Sequence, residues 1–280
     1  MKIAVTGCTG FVGRHVLAEL ERRDCDVTCV LRDASVAPAP SARRDVVRID
    51  LSRPPRDTFS AIGSPQVLIH LAWGGLPNYS SLHHFETELP LQYRFIKQLL
   101  ASGLPNLVVA GTCFEYGNVC GALSEELETR PSNPYGLAKD TLRRQLGFVK
   151  QEHCFALTWA RLFYVHGEGQ AATSLLPQLQ SAVARGDKRF AMSGGEQLRD
   201  FLPVTEAARY LVDLALNQRD HGIVNVCSSR PVSVRRLVEG WIERNGWSID
   251  LELGRYPYPD YEPMAFWGDR RKLDACLGPA

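Results

Sequence analysis

TGCTGFVG (6–13) lies between the apolar run KIAVT (2–6) and a segment of helical period at 11–23. Three glycines spaced by three at a strand-to-helix junction have a physical reading. Gly7 permits a tight turn, Gly10 lets a phosphate approach the backbone, and Gly13 lets the helix pack against the strand. The helix N-terminus then turns free N–H groups and a positive dipole end toward a pyrophosphate. Many glycine-rich turns bind nothing. Placed directly after a first strand and before an amphipathic helix, this one predicts a dinucleotide site.

Working outward, apolar runs recur at DVTCV (26–30), VVRI (46–49), VLIHLA (67–72), LVVA (107–110) and FALTWARL (155–162), with helical period at 82–102 and 136–150. Short strands that are apolar throughout suit a parallel sheet buried on both faces. Their alternation with helices predicts an α/β, Rossmann-type doubly wound sheet. PAPSARR (38–44) reads as a loop. After residue 166 the pattern loosens. A Gly-, Gln- and Arg-rich segment (167–203) holds one helix near 172–185; a helix at 205–217, the strand IVNV (223–226) and a helix at 233–245 follow. The tail YPYPDYEPMAFW (256–267) carries too many prolines for a sheet interior. The expected division is a dinucleotide-binding domain, 1–166 with 204–228, and a smaller C-terminal substrate-binding lobe, 167–203 with 229–280, closing over the carboxyl edge of the sheet.

The 280 residues, 45% of them hydrophobic, allow one large domain with an appendage. A net charge of +1 with dispersed basic residues leaves no electrostatic footprint for nucleic acid or an anionic membrane. No window reaches about 18 uninterrupted apolar residues, so no spanning helix is expected. MKIAVTG does not resemble a signal peptide. The eight cysteines form no C-x-x-C and read as reduced thiols in a cytoplasm. His83 and His84 are adjacent and share no helix face, so no metal site is expected.

The second strand ends VTCVLRD, with Leu31 where an NAD site usually has an acidic residue, then Arg32. A carboxylate would repel the extra phosphate of NADP, whereas a guanidinium can grip it, so NADP is favoured over NAD. A plain surface arginine is the competing reading. Asp50, ending the third strand, is either an adenine contact or ordinary turn chemistry. In NPYGLAK (133–139), Asn133 suits an N-cap and Pro134 the first helical position. Tyr135 and Lys139 then share a helix face one turn apart. An ammonium beside a phenol would lower the phenol's pKa and let the pair exchange a proton near neutrality.

Taken jointly, TGCTGFVG, IHLAW (69–73), GTCFEYG (111–117), PYGLAK (134–139), ARLFYVHGEGQ (160–170), RDFLPV (199–204) and NVCSSRPVSV (225–234) resemble the extended short-chain dehydrogenase/reductase family, in its nucleotide-sugar epimerase, dehydratase and reductase branch. The resemblance implies that Thr112 hydrogen-bonds the substrate oxygen, Tyr135 protonates it, and Lys139 holds the nicotinamide ribose. It also implies cofactor contacts at Thr9, Phe11, Val12 and Leu51, at Leu71, Ala72 and Trp73, and at Phe163. Trp73, Thr112, Cys113, Phe114, Tyr164 and Arg199 are the implied substrate contacts. Trp73 could equally be a core residue.

Departures from the family pattern narrow the chemistry. The 4,6-dehydratases carry Asp-Glu after the threonine, where this chain has Cys113-Phe114, so dehydration is disfavoured. Glu115, placed on a strand, would point to the opposite side, as substrate contact or as a hydrogen-bonded loop carboxylate. Tyr164 replaces a phosphate-contacting Asn. Arg199 matches the diphosphate arginine, but a second arginine expected near YPYPDYEP is missing. The expected activity is an NADPH-dependent reductase of a nucleoside-diphosphate 4-keto-6-deoxy sugar. A 4-epimerase with tightly bound NAD is the rival enzyme, and a dinucleotide-binding scaffold the rival from another class. The family often dimerises through two helices per subunit, and 82–102 and 136–150 are the segments here.

Overall fold

The computed structural model describes residues 1–33, 42–258 and 262–278. Its elements begin with β1 (Lys2–Thr6), α1 (Phe11–Arg22), β2 (Asp26–Leu31), β3 (Arg44–Arg48), α2 (Thr58–Ala61) and β4 (Val67–His70). A π turn (His84–Glu88), α3 (Leu89–Ala101), β5 (Asn106–Thr112), a 3₁₀ turn (Cys113–Tyr116), β6 (Gly121–Leu123) and α4 (Pro134–Glu152) come next. β7 (Ala156–Leu162), β8 (Tyr164–His166), α5 (Leu175–Ala184), β9 (Arg189–Ala191), β10 (Leu198–Pro203) and α6 (Val204–Leu216) follow. The last are β11 (Gly222–Val226), β12 (Pro231–Ser233), α7 (Val234–Asn245), β13 (Asp250–Glu252), β14 (Phe266–Gly268) and α8 (Arg271–Leu277).

Among the described residues, seven strands pair in parallel in the order β11-β7-β5-β4-β1-β2-β3. The order reverses between β1 and β4, which opens a crevice at their carboxyl ends. Side chains alternate across the sheet. Ile3 and Val5 join one core with Val16 and Leu20 of α1 and Leu211 of α6, whereas Ala4 joins the other with Phe95 and Leu99 of α3 and Leu142 of α4. Both faces are therefore apolar and covered, the doubly wound arrangement expected. A third core stands apart in a smaller lobe, where α5, β9 and α7 pack through Leu179, Phe190, Val238 and Trp241.

Four local expectations shift. β3 runs Arg44–Arg48, not 46–49, because as an edge strand it pairs with β2 alone and is mostly exposed. β4 stops at His70, so Leu71 and Ala72 belong to the crevice. The helix expected at 82–102 is broken into the π turn and α3, since Pro90 has no N–H to donate to the carbonyl four residues back. The end of the tail, past its last proline, does enter a sheet: β14 pairs with β6. Of the loop expected at 38–44, residues 38–41 lie outside the described residues. The fully buried Asp200 ties the lobe to the sheet by accepting from Ser228 N at 2.7 Å, Ser229 N at 2.8 Å and Gly268 N at 3.2 Å. No described helix is long and apolar enough to cross a membrane.

Candidate active site

The glycine loop closes against the β4 crevice through backbone alone. Gly7 has φ +70°, and a Cβ there would lie 2.6 Å from Ala72 N. A Cβ on Gly13 would lie 2.1 Å from Gly7 O, so α1 can seat on the loop only without a side chain at that position. A Cβ on Gly10 would meet only Gly7 O, at 3.2 Å, and α1 carries no side-chain N-cap. That cradle fits a pyrophosphate, which would cap the helix through N–H groups and dipole. Thr9, Phe11 and Val12 are all partly exposed on the loop and first turn.

At the end of β2, Leu31 is buried and Arg32 exposed. Arg32 lies close enough to Asp50 for its charge to help lower that carboxyl's pKa, behind two hydrogen bonds from Ser52. Those bonds, from Ser52 N at 2.9 Å and Ser52 Oγ at 2.7 Å, are the turn chemistry weighed for Asp50. Leu51 packs at the edge of the α3 core.

GTCFEYG does not continue the strand, which is why Glu115 does not point where strand alternation sends it. Thr112 caps the 3₁₀ turn, its Oγ1 accepting from Phe114 N at 3.3 Å while Thr112 N donates to Glu115 Oε1 at 2.9 Å. Glu115 is fully buried and also accepts from Trp159 Nε1 at 2.9 Å and Arg161 Nε at 2.7 Å. It is a structural carboxylate anchoring the turn on β7. Cys113 is buried, and burial pushes its thiol up, so it is no thiolate nucleophile.

Helix α4 starts as expected. Asn133 Oδ1 accepts from Gly136 N at 2.8 Å, and Pro134 opens the first turn. A Cβ on Gly136 would lie 2.6 Å from Phe114 O, so α4 begins in contact with the 3₁₀ turn. Phe114 and Tyr135 rings stand 6.4 Å apart edge-on, and Lys139 Nζ donates to Ala110 O of β5 at 2.9 Å. Tyr135 and Lys139 thus lie against the carboxyl end of β5 and the turn that Thr112 caps.

One electrostatic expectation is corrected. Lys139 does not lower the Tyr135 pKa; burial drives that phenol well up, helped by Tyr79, Glu115 and Cys113. The Lys139 ammonium lies 5.8 Å from the Tyr135 ring centre and only 3.9 Å from that of Trp73. Burial pulls Lys139 down to about 7, against the raising effect of Glu115 and Glu88. The phenol is therefore a full proton carrier. Trp73, Tyr79, His84 and Phe114 enclose it, their ring centres 5.2 to 6.4 Å from its own. Tyr79 and His84 escaped the sequence reading, although the density of rings in LAWGGLPNYSSLHH (71–84) was the available signal.

Two other assignments look different in three dimensions. Phe163 turns its ring into a buried cluster with Tyr116, Cys227 and Phe266. Arg199 is 3% exposed, donating to Glu262 Oε2 from Nη2 at 2.9 Å and to Leu198 O from Nη1 at 2.9 Å, with Phe266 beneath it. Its fork is already held by a carboxylate. Tyr164 packs its ring among Phe114, Phe201 and Phe266 beside that pair. In the lobe, a cavity of about 480 Å³ opens between α5 and β9, lined among others by Gln178, Arg185, Arg189, Phe190 and Tyr256.

A doubly wound sheet with a phosphate-ready glycine loop at its switch point, and a threonine, tyrosine and lysine at the adjacent strand end, defines a dinucleotide-dependent oxidoreductase of the short-chain type. The chain belongs to the NAD dependent epimerase/dehydratase family, whose model matches residues 3–227. Among curated relatives, the dTDP-6-deoxy-L-talose 4-dehydrogenase (NAD(+)) of Aggregatibacter actinomycetemcomitans is 27% identical over 96% of this chain and 99% of its own length. The dTDP-6-deoxy-L-talose 4-dehydrogenase (NAD(P)(+)) of Kitasatospora kifunensis is 28% identical over 92% of this chain and 83% of its own. Among solved structures, MoeE5 in complex with UDP-glucuronic acid and NAD superposes with a TM-score of 0.84 at 27% identity, covering 99% of this chain and 93% of that one.

Proposed function

We propose that this protein is an NADPH-dependent reductase of a nucleoside-diphosphate 4-keto-6-deoxy sugar. The observation supporting this reading is that Tyr135 and Lys139 sit against the strand end and turn that carry Thr112, beside the glycine loop and without an acid pair after the threonine. When bound, the nicotinamide supplies hydride to the sugar C4 carbonyl. Thr112 Oγ1 and Tyr135 Oη donate hydrogen bonds to the oxygen as negative charge develops, and the phenol yields its proton to the alkoxide. A phenol whose pKa is held high by burial stays protonated until that alkoxide forms. Lys139 orients the nicotinamide ribose. Cys113 and Phe114 offer no group that could remove the C5 proton and expel water, which supports reduction over dehydration.

Two relatives are named as 6-deoxytalose 4-dehydrogenases, and oxidation of that C4 alcohol is this reduction read backwards. Arg32 after Leu31, with no carboxylate at the ribose position, supports NADP over NAD. The lobe, 167–203 with 229–280, takes the nucleotide, and the 480 Å³ cavity beside Phe190 and Tyr256 suits a nucleoside. Diphosphate binding at Arg199 then requires phosphate to displace Glu262.

The test is a screen of NADPH oxidation over 4-keto-6-deoxy sugars on different nucleotides, with the product's stereochemistry read by NMR. Turnover of at least one such ketone, lost in Tyr135→Phe, is the expected result. Protein that purifies with stoichiometric NAD and interconverts C4 epimers without net redox change would replace this reading with the epimerase.

A further inference from the structure

Lys139 is a cation in an unusual place. Its residue is 2% exposed, and its ammonium has one described acceptor, Ala110 O at 2.9 Å. Among the described residues no carboxylate comes within ion-pair distance of it. Glu115 on the 3₁₀ turn and Glu88 on the π turn act only through space, and the buried His70 of β4, Tyr135 of α4 and, behind Trp73, His84 of the π turn are titratable groups around it. What does touch the ammonium is the Trp73 ring, 3.9 Å from Nζ to centroid. A desolvated cation over an indole face is strongly attracted by the ring quadrupole.

That ring is itself held. Trp73 Nε1 donates to His84 Nδ1 at 3.1 Å, and His84 Nε2 meets Asn78 O at 2.7 Å. A carbonyl can only accept and an indole N–H can only donate, so the two bonds fix His84 as the neutral tautomer with its proton on Nε2. His84 is fully buried and opens the π turn, a local widening often found beside functional groups.

We propose that Trp73, locked by His84 against Asn78 O, is a positioning residue that stands in for a counter-ion and holds Lys139 as an oriented ammonium beside Tyr135. A carboxylate in contact would hold the charge too, but it would also compete for the ammonium's N–H groups. A π face binds the charge and leaves those donors for a ribose hydroxyl. The inference rests on the role given to Lys139 above.

The experiment titrates lysine labelled with ¹³C at Cε by NMR in cofactor-free protein, with the Lys139 signal assigned through Lys139→Arg. Loss of the indole face destabilises the ammonium form alone, so Trp73→Leu should move the Lys139 midpoint down by about one pH unit. Trp73→Phe, which keeps a ring but loses the His84 bond, should shift it less. His84→Gln, able to accept from Trp73 and donate to Asn78 O, should titrate as the parent does, while His84→Leu should follow Trp73→Phe. The alkaline limb of kcat/KM should move by the same amounts.

A Lys139 midpoint unchanged in folded Trp73→Leu overturns the proposal. Should that variant not fold, parent-like titration in both Trp73→Phe and His84→Leu overturns it equally. Because the midpoint is read without substrate or cofactor, its outcome is separate from whether any 4-keto sugar is turned over.

Discussion

Glu115 and Arg161 meet at 2.7 Å with 0% and 1% of their side chains exposed, directly beneath the turn that carries Thr112. The pair holds the 3₁₀ turn on β7, with Trp159 and Thr112 N taking the carboxylate's remaining capacity. Removing one partner strands a buried charge, which costs about 3–5 kcal/mol. Glu115→Ala should therefore lose that much unfolding free energy in urea. Glu115→Gln, which keeps one acceptor oxygen but not the charge, should lose less. An unchanged urea midpoint in Glu115→Ala would remove the anchoring role.

Tyr135→Phe deletes one oxygen from a packed aromatic enclosure. Turnover should fall by about 10²–10⁴-fold, the range for a lost general acid. Dinucleotide affinity by calorimetry should stay within about threefold, since the glycine loop is untouched. Loss of affinity in parallel with turnover would mean that the phenol's work is structural.

His70 is fully buried against Phe95, and its Nδ1 lies 2.9 Å from Thr6 Oγ1. Burial first, then the charge of Lys139, lowers its pKa from 6.5 to about 3. Between those values the unfolded chain takes up a proton that the folded chain refuses. Stability should thus be complete above about pH 6.5 and drop as acid is added, by about 1.4 kcal/mol per pH unit from this one group. Urea midpoints measured from pH 7 down to pH 4 should fall less steeply in His70→Asn. The same slope in both proteins would assign the acid sensitivity elsewhere.

Arg32 is the side chain on which the proposed choice of NADP over NAD rests. Arg32→Ala should lower kcat/KM with NADPH by about tenfold or more, the worth of a charge-assisted bond to phosphate, and leave the value with NADH nearly constant. Equal losses with both coenzymes would make Arg32 a general contributor to the fold.

Much of this molecule was legible in order of residues. The glycine spacing, the run of apolar strands and the Asn133–Pro134 helix start each follow from local rules of backbone and capping, and each sits where those rules put it. Local rules failed where a distant partner intervened. Glu115 could not be assigned while its segment was taken for a strand, because Trp159 and Arg161 arrive from β7. Lys139 was expected to tune Tyr135 because helix spacing puts them one turn apart. Only the chain folding back at 73–84 supplied Trp73 as the ammonium's nearer neighbour. Arg199 carried a phosphate ligand's signature, and the tail brought Glu262 onto it.

By itself, then, the amino-acid order determined the doubly wound sheet, its glycine loop and the helix start that sets Tyr135 and Lys139 one turn apart, since hydrophobic period, glycine conformation and helix capping act over a few residues; Thr112 was marked only by the family resemblance. Tertiary structure alone decided the protonation of that site. Burial and through-space charge depend on groups tens of residues apart in the chain, and these raise the Tyr135 phenol and lower the Lys139 ammonium that lies on the face of Trp73.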